Sequence, residues 1–190
     1  MIEVTRETKE TQISVKLNLY GTGQANINTG VGFYDHMLEA FTKHAHVDME
    51  ITCTGDTHID DHHTVEDVAI VIGQALKKAI YPVQSIERFG NATVVMDEAS
   101  ITCDIDLSNR GFLVFELPIG GKVGNFDVEL VEEFFKAFAF NLPLTLHLVY
   151  NRGKNKHHII EGAFKALAVA LRRAVTINEN AGIPSTKGVL

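Results

Sequence analysis

Apolar residues recur at helical spacing in two long segments of the chain. In the first segment they stand at Val65, Val68, Ala69, Ile72, Leu76 and Ala79. In the second they stand at Ile160, Ala163, Phe164, Leu167, Leu171 and Ala174. Because this spacing puts the apolar side chains on one face of a helix, it predicts two amphipathic helices that face the core.

Both segments begin with the same polar motif, His-His-x-x-Glu. Residues 62–66 read HHTVE, and residues 157–161 read HHIIE, 95 residues later. The match continues along the segments, where the pair Lys77-Lys78 corresponds to Arg172-Arg173. Self-similarity at a fixed separation indicates that one structural unit occurs twice in the chain.

The remaining pattern supports this duplication. A predicted helix at 33–43 corresponds to one at 128–140, and a predicted strand at 47–54 corresponds to one at 144–149. Each half begins with an alternating, strand-like segment. The order is therefore strand–strand–helix–strand–helix in each half, with an extra strand near 112–117 in the second half alone.

Glycine-rich stretches at 23–32 and 120–124 predict loops, and residues 81–90 predict the junction between the halves. This order predicts an α+β fold in one globular unit. Its two pseudo-symmetric halves are residues 1–86 and residues 87–190. Each half is expected to form a mostly antiparallel or mixed four-stranded sheet with helices packed on one face.

The composition limits which kinds of molecule the protein can bind and indicates its cellular compartment. A net charge of −7 disfavours nucleic acid and anionic membranes, so a phosphorylated small substrate would need a local basic pocket. Cys53 and Cys103 lie in apolar runs and predict buried, reduced thiols. No apolar segment follows the N-terminus, and no run reaches the roughly 18 apolar residues of a membrane span. A cytoplasmic protein is expected.

The motif histidines suit metal binding. His62 and Glu66 share a helix face because they are four residues apart, whereas His63 is turned by about 100° from His62. Adjacent histidines are therefore placed to serve two ions. Four imidazoles and two carboxylates suit Mn²⁺, Fe²⁺ or Zn²⁺, and the lack of nearby cysteine disfavours a structural zinc–thiolate site.

A purely structural interpretation assigns the motifs to helix capping. Asp60 and Asp61 can cap the first helix and Asn155 the second, but capping does not explain paired histidines at two equivalent positions. The other histidines are ambiguous by spacing alone. His36 lies at a predicted helix start and His147 in an alternating strand, and His44, His46 and His58 suit solvated or helix-end positions.

Seven motifs distributed over the chain resemble those of one enzyme family, imidazoleglycerol-phosphate dehydratase. They are RETKET (6–11), GVGFYDHML (30–38), DDHHTVED (60–67), DEA (97–99), DLSNR (106–110), NKHHIIE (155–161) and PSTKG (184–188). The sequence departs slightly from the family at Ser100 and Asn109, where Leu and Gly are expected. Neither position is a predicted ligand.

The resemblance implies a hydro-lyase of histidine biosynthesis that converts imidazole glycerol phosphate to imidazole acetol phosphate and water. It implies two Mn²⁺ ions per subunit, although the same ligands accept other divalent ions. It also implies a homo-oligomer, a 24-subunit shell with metals at subunit contacts. The implied metal ligands are His36, His62, His63, Glu66, His147, His157, His158 and Glu161.

The resemblance also suggests substrate contacts and proton carriers. The implied phosphate contacts are Arg88, Arg110, Lys165, Ser185 and Lys187, with the C-terminal tail ordering over the site. Further substrate contacts are Glu10, His36, His44, His62, His63, His157 and His158. Glu10, Glu66 and Glu161 are the candidate catalytic groups, whereas Glu98 suits a structural hydrogen-bonding role.

The expected chemistry follows from the substrate, whose leaving hydroxyl is not beside a carbonyl. Divalent metals on the ring nitrogens would favour imidazolate, which can expel the hydroxyl and give a diazafulvene-like intermediate. Two other functions remain open on ligand chemistry. One is a metallohydrolase that uses metal-bound hydroxide, and the other is a non-catalytic metal-storing or metal-assembled scaffold.

Overall fold

Two four-stranded sheets enclose the helices of the protein. The computed structural model describes all residues, 1–190. The first half contains β1 (Ile2–Glu7), β2 (Thr11–Asn18), β3 (Ala25–Asn28), α1 (Gly32–Ala45), β4 (Asp48–Gly55) and α2 (His62–Ile80). The second contains β5 (Phe89–Met96), β6 (Ala99–Asp106), β7 (Phe112–Glu116), β8 (Lys122–Val123), β9 (Phe126–Asp127), α3 (Leu130–Asn141), β10 (Thr145–Arg152) and α4 (Lys156–Ala174).

The two sheets have the same topology. Their strand orders are β1-β2-β4-β3 and β5-β6-β10-β7. In each sheet the first three strands pair antiparallel and the last pair is parallel, β3 with β4 and β7 with β10. The predicted α+β fold with two pseudo-symmetric halves and mixed four-stranded sheets is thereby confirmed.

One strand assignment was wrong. The strand near 112–117 is not an extra element of the second half, because β3 occupies the equivalent sheet position in the first half. Residues of β3 were expected to form a loop between glycines. The strand has four residues, and only Ile27 supplies a large apolar side chain, so its pattern is too short to show alternation.

The helices pack against each other across the two halves. α1 contacts α4, and α2 contacts α3, while α2 covers β1 and β2 and α4 covers β5 and β6. The facing apolar surfaces form one continuous core of 54 buried residues, which includes Val68, Ile72, Phe164 and Leu167 of the motif helices. This packing fixes the ends of α2 and α4, and the two motifs lie at those ends.

Both cysteines were predicted to be buried, which is confirmed for Cys103 and wrong for Cys53, whose side chain is only partly buried. Neither Cys53 nor Cys103 forms a disulfide, and Cys103 is buried. Burial raises the pKa of the half-buried Cys53 thiol to about 11, so this thiol is neutral near pH 7. None of the helices combines the length and apolar character needed to cross a membrane.

Candidate active site

Side-chain caps fix the first turn of both motif helices. The Asn155 side-chain oxygen accepts hydrogen bonds from the backbone N–H of His157 at 2.9 Å and of His158 at 3.4 Å. Asp60 Oδ1 accepts from the backbone N–H of His62 at 2.8 Å. Asp61 makes no side-chain cap, contrary to expectation, because Asp60 already satisfies the nearby donor. The caps therefore anchor the motif histidines without occupying their rings.

The start of α4 and the second turn of α1 together form a candidate metal centre. Glu161 Oε2 lies 3.1 Å from His157 Nε2 and 3.6 Å from His36 Nε2. All three potential ligand atoms lie within 4.8 Å of one another, and this is the only such group of three in the chain. The structure thus brings His36 together with the second motif, a placement that spacing alone did not predict.

Lys165 also contacts this group. Its Nζ lies 2.6 Å from Glu161 Oε1, the oxygen that faces away from the imidazoles. Burial of Glu161 opposes ionisation, but the nearby Lys165 and His36 outweigh it, so the pKa of the carboxyl is lowered. Glu161 is therefore a carboxylate at neutral pH. Lys165, predicted to bind phosphate, is engaged by the carboxylate.

The start of α2 forms a looser counterpart. His62 Nε2 lies 3.8 Å from Glu66 Oε2, and the Glu66 side chain is 44% exposed. In both motifs, therefore, the first histidine faces the glutamate four residues later. This is the arrangement that helical periodicity predicts for residues i and i+4.

The second histidine of the first motif points to a different set of carboxylates. His63 Nδ1 lies 3.0 Å from Asp56 Oδ2, and its Nε2 lies 3.8 Å from Glu10 Oε1. The hydrogen bond to Asp56 is the main cause of the raised pKa of His63. A carboxylate on Nδ1 fixes the orientation of the ring and leaves Nε2 for another partner, as is common for metal-binding histidines.

His158 is held in the same way by a carboxylate of its own half, from the turn between β5 and β6. Its Nδ1 lies 2.8 Å from Glu98 Oε2, while Glu98 Oε1 accepts from the backbone N–H groups of Lys154 and Asn155 at 3.0 and 2.7 Å. The hydrogen bond with His158 is the largest cause that lowers the pKa of Glu98 to about 2. Glu98 therefore positions His158, in agreement with the structural role expected from the sequence.

The Glu98–His158 pair predicts a pH dependence of stability in the metal-free protein. The ordinary pKa of Glu98 is 4.5 and its folded value about 2, so its contribution is complete above pH 4.5 and is lost as the pH falls toward 2. The pKa of His158 is raised above 6.5, so its contribution is complete below pH 6.5 and is lost as the pH rises through the raised value. Thermal unfolding of Glu98→Gln should therefore show the largest drop in Tm between pH 4.5 and pH 6.5, where both contributions are complete. An equal drop at all pH values would contradict the pairing.

Glu10 lies in the turn between β1 and β2 and has a free carboxylate. The turn is held by hydrogen bonds from the backbone N–H groups of Glu10 and Thr11 to Thr8 Oγ1, at 3.1 and 3.0 Å. The buried Asp67, next to Glu66 in α2, accepts from Thr11 Oγ1 at 2.6 Å and from Arg6 Nε at 3.0 Å. This network fixes the backbone beside Glu10 while its side chain stays 51% exposed.

His147 and His44 lie outside both motif clusters. The neighbours of His147 in β10, Leu146 and Leu148, are buried, so His147 faces the surface of the sheet opposite the helices. The folded chain therefore does not bring this predicted ligand to the others. His44 lies two turns beyond His36 in α1, and burial and the charge of Lys165 lower its pKa.

The repeat identifies a residue that the sequence reasoning missed. α3 corresponds to α1, and their buried positions align, for example Val131 with Tyr34. In this alignment Glu133 takes the place of His36, on a helix that packs against α2 as α1 packs against α4. Its side chain is 31% exposed and lies 3.8 Å from Lys136. Extending the repeat from the motifs to these helices would have identified Glu133.

Four of the five predicted phosphate contacts line one basic cavity, and the fifth, Lys165, pairs with Glu161 instead. A cavity of about 800 Å³ is lined by Arg110, Ser185 and Lys187, together with Arg88 and Asn109. Arg88 is already engaged there, since its Nε and Nη2 donate to Asp106 at 2.7 and 3.0 Å and its Nη1 donates to the carbonyl oxygen of Pro184 at 2.7 Å. It therefore orders the C-terminal segment, and Arg110 and Lys187 remain available to an anion.

The basic cavity lies apart from the motif clusters in a single chain. A second cavity of about 620 Å³ is lined by His36, Phe33, Asp61 and Phe126, and it shares no residue with the first. No residue of the two His-His-x-x-Glu motifs lines the basic cavity. One chain thus supplies a candidate metal-binding group and a candidate anion-binding group, at different places on its surface.

Comparison with known proteins gives a consistent result. The family model described as imidazoleglycerol-phosphate dehydratase matches residues 29–171. Curated proteins of that name from Sulfurovum sp. and Aliarcobacter butzleri are 91% and 67% identical over 190 residues, and each alignment covers all of both chains. The solved Staphylococcus aureus enzyme is 40% identical with a TM-score of 0.83, over 93% of this chain and 99% of that one. The Pyrococcus furiosus enzyme is 39% identical with a TM-score of 0.87, over 98% and 100%.

Proposed function

The chain belongs to the imidazoleglycerol-phosphate dehydratase family, the hydro-lyases of histidine biosynthesis, and we propose that it dehydrates imidazole glycerol phosphate to imidazole acetol phosphate with two divalent cations. The observation that carries the metal dependence is the convergence of His36, His157 and Glu161 within 4.8 Å. Two separate parts of the sequence meet there, α1 from the first half and α4 from the second. A helix cap would not require this arrangement.

The donors fit a divalent ion such as Mn²⁺. Imidazole nitrogen and carboxylate oxygen are the ligands that such ions accept, and no thiol lies among them. We assign one ion to the α4 group of His36, His157 and Glu161, and the other to the α2 group of His62 and Glu66, with Glu133 as a further candidate. Bound there, the ions would act as Lewis acids that favour ionisation of the substrate's imidazole ring.

The second histidine of each motif supports a site completed by another copy of the chain. His63 and His158 each have Nδ1 on a carboxylate and point away from the glutamate of their own motif. Their Nε2 atoms suit the ion of a neighbouring subunit, which would give each site a further imidazole. The separate basic cavity likewise needs a neighbour to reach a metal site. A 24-subunit shell, as the family resemblance implies, would supply these contacts.

The carboxylates divide into different roles. Glu10 accepts no side-chain hydrogen bond and lies 3.8 Å from His63 Nε2, so its Oε1 can take the carbon-bound proton that is lost in dehydration. The Glu66 side chain is 44% exposed, so its carboxylate can relay a proton from solvent to the departing hydroxyl and is ionised again afterwards. Glu161 is occupied by Lys165, which suits it to hold an ion and not to move protons.

The basic cavity predicts how phosphate binding responds to mutation. Arg110→Ala should raise KM about 10–100-fold, the loss expected for a charge-assisted hydrogen bond to phosphate, and change kcat much less. Steady-state kinetics with the phosphorylated substrate measures this directly. Arg152→Ala, which removes an exposed arginine outside the cavity, is the matched control and should leave KM unchanged. A fall in kcat at constant KM would contradict the assignment.

A product assay separates dehydration from hydrolysis. The proposed reaction forms a ketone and keeps the phosphate on the product, whereas a metallohydrolase that cleaved the phosphate ester would release inorganic phosphate. We expect ketone formation without phosphate release from imidazole glycerol phosphate. Phosphate release without a ketone would support the hydrolase, and no conversion of any kind would support the scaffold.

A further inference from the structure

The glutamates of the two motifs lie in unlike surroundings. Glu161 is 8% exposed, and its Oε1 lies 2.6 Å from Lys165 Nζ, whose side chain is itself only 22% exposed. Glu66 is 44% exposed, and His62 is its only partner within salt-bridge distance. One candidate metal site therefore contains a built-in cation, and the other does not.

The repeat shows where this difference arises. Lys165 follows Glu161 by four residues, so both lie on one face of α4. The position that corresponds to Lys165 in α2 is Ile70. The lysines of α2, Lys77 and Lys78, lie in its last turn, about 16 Å along the helix from Glu66. No side chain of α2 can therefore take the place of Lys165.

We propose that Lys165 makes the α4 cluster the weaker of the two metal sites, so that each chain takes up its two divalent cations in separate steps. The proposal rests on the proposed function, because it requires one ion at each cluster. An ion on Glu161 Oε2 lies about 5 Å from the ammonium group, and even with the screening of bulk water a cation at that distance weakens binding about tenfold. Lys165 also occupies Oε1, so Glu161 offers one oxygen where Glu66 offers two.

Burial acts in the opposite direction but is offset. A carboxylate in a low-dielectric environment attracts a cation more strongly than an exposed one, which by itself would favour the α4 cluster. Lys165 lies in the same low-dielectric environment, and its positive charge offsets the negative charge of the Glu161 carboxylate. The other donors of the α4 cluster, His36 and His157, are neutral when they bind an ion and add no negative charge. The α2 cluster, in contrast, keeps the full negative charge of the Glu66 carboxylate.

Titration of Mn²⁺ into the metal-free, full-length protein tests the proposal. Calorimetry, with the electron paramagnetic resonance of free Mn²⁺ as an independent readout, should show two classes of site, one ion each per chain, with dissociation constants at least about tenfold apart. His157→Asn should abolish the weaker class. Lys165→Met should strengthen that class about tenfold, whereas Lys165→Arg should keep it weak.

The reciprocal substitution covers the case in which Lys165→Met does not fold. Ile70→Lys places an ammonium group four residues after Glu66 and should weaken the tighter class, while the control Lys77→Met should change neither class. A single class of sites in the unmodified protein, or unchanged affinities in both Lys165→Met and Ile70→Lys, would overturn the proposal and leave the proposed function intact. Absence of any Mn²⁺ binding would overturn both.

Discussion

Replacing Glu10 with Gln is expected to lower kcat about 10²–10⁴-fold while the protein keeps its metal ions, its fold and its assembly. The reason is geometric. The Glu10 carboxylate lies near His63 and accepts no hydrogen bond. Its turn is held by hydrogen bonds of Thr8, Thr11 and Asp67 that do not involve the side chain at position 10. The amide of Gln keeps the size of the side chain but cannot accept the proton.

Steady-state kinetics, together with metal analysis, measures this effect. Glu7→Gln is the matched control, because Glu7 ends β1 in the same hairpin and does not contact a motif histidine. It should retain kcat. Full activity of Glu10→Gln would exclude Glu10 as the proton carrier, and loss of the metal ions would show that it acts as a ligand. A non-catalytic scaffold would show no dependence on Glu10 at all.

His157→Asn is expected to reduce the metal content from two ions to one per chain and to lower kcat by at least about 10³-fold. His157 is the imidazole closest to Glu161 and completes the only triad of ligand atoms in the chain, so its loss leaves His36 and Glu161 to hold the ion. Both ring nitrogens of the substrate need a Lewis acid in this account, so one remaining ion should not sustain turnover.

Elemental analysis by mass spectrometry and a kinetic assay check this result. His46→Asn is the control, because His46 is an exposed histidine at the end of α1, outside both clusters. Its left-handed backbone, with φ 58°, is one that Asn tolerates. Two ions per chain in His157→Asn would remove this histidine from the ligand set.

Periodicity predicted the parts of the site that lie on one helix. His62 with Glu66, and His157 with Glu161, face each other because residues four apart share a helix face, whatever the rest of the fold does. The duplication of the sheet was also predicted from the repeat, because strand-like segments recur in corresponding positions of the two halves. The short strand β3 did not, because one large apolar side chain cannot show alternation.

The local sequence pattern did not predict contacts between segments that are far apart in the chain. His36 reaches Glu161 only because α1 of one half packs against α4 of the other, and no spacing along the sequence encodes that approach. The same limit applies to Arg88, a predicted phosphate contact that lines the basic cavity and also donates to Asp106 and to the carbonyl oxygen of Pro184. His147 faces away from the motif helices of its own chain, so its predicted role as a ligand would need a neighbouring subunit and stays a prediction.

The most direct test is anomalous diffraction at the manganese absorption edge from crystals of the full-length protein grown with Mn²⁺. Two anomalous peaks per chain are expected, one between His36, His157 and Glu161 and the other beside His62 and Glu66. Neighbouring subunits should contribute the Nε2 atoms of His63 and His158. Peaks located elsewhere on the chain, or no peak at either motif, would contradict the claim that the duplicated motif holds a pair of metal ions.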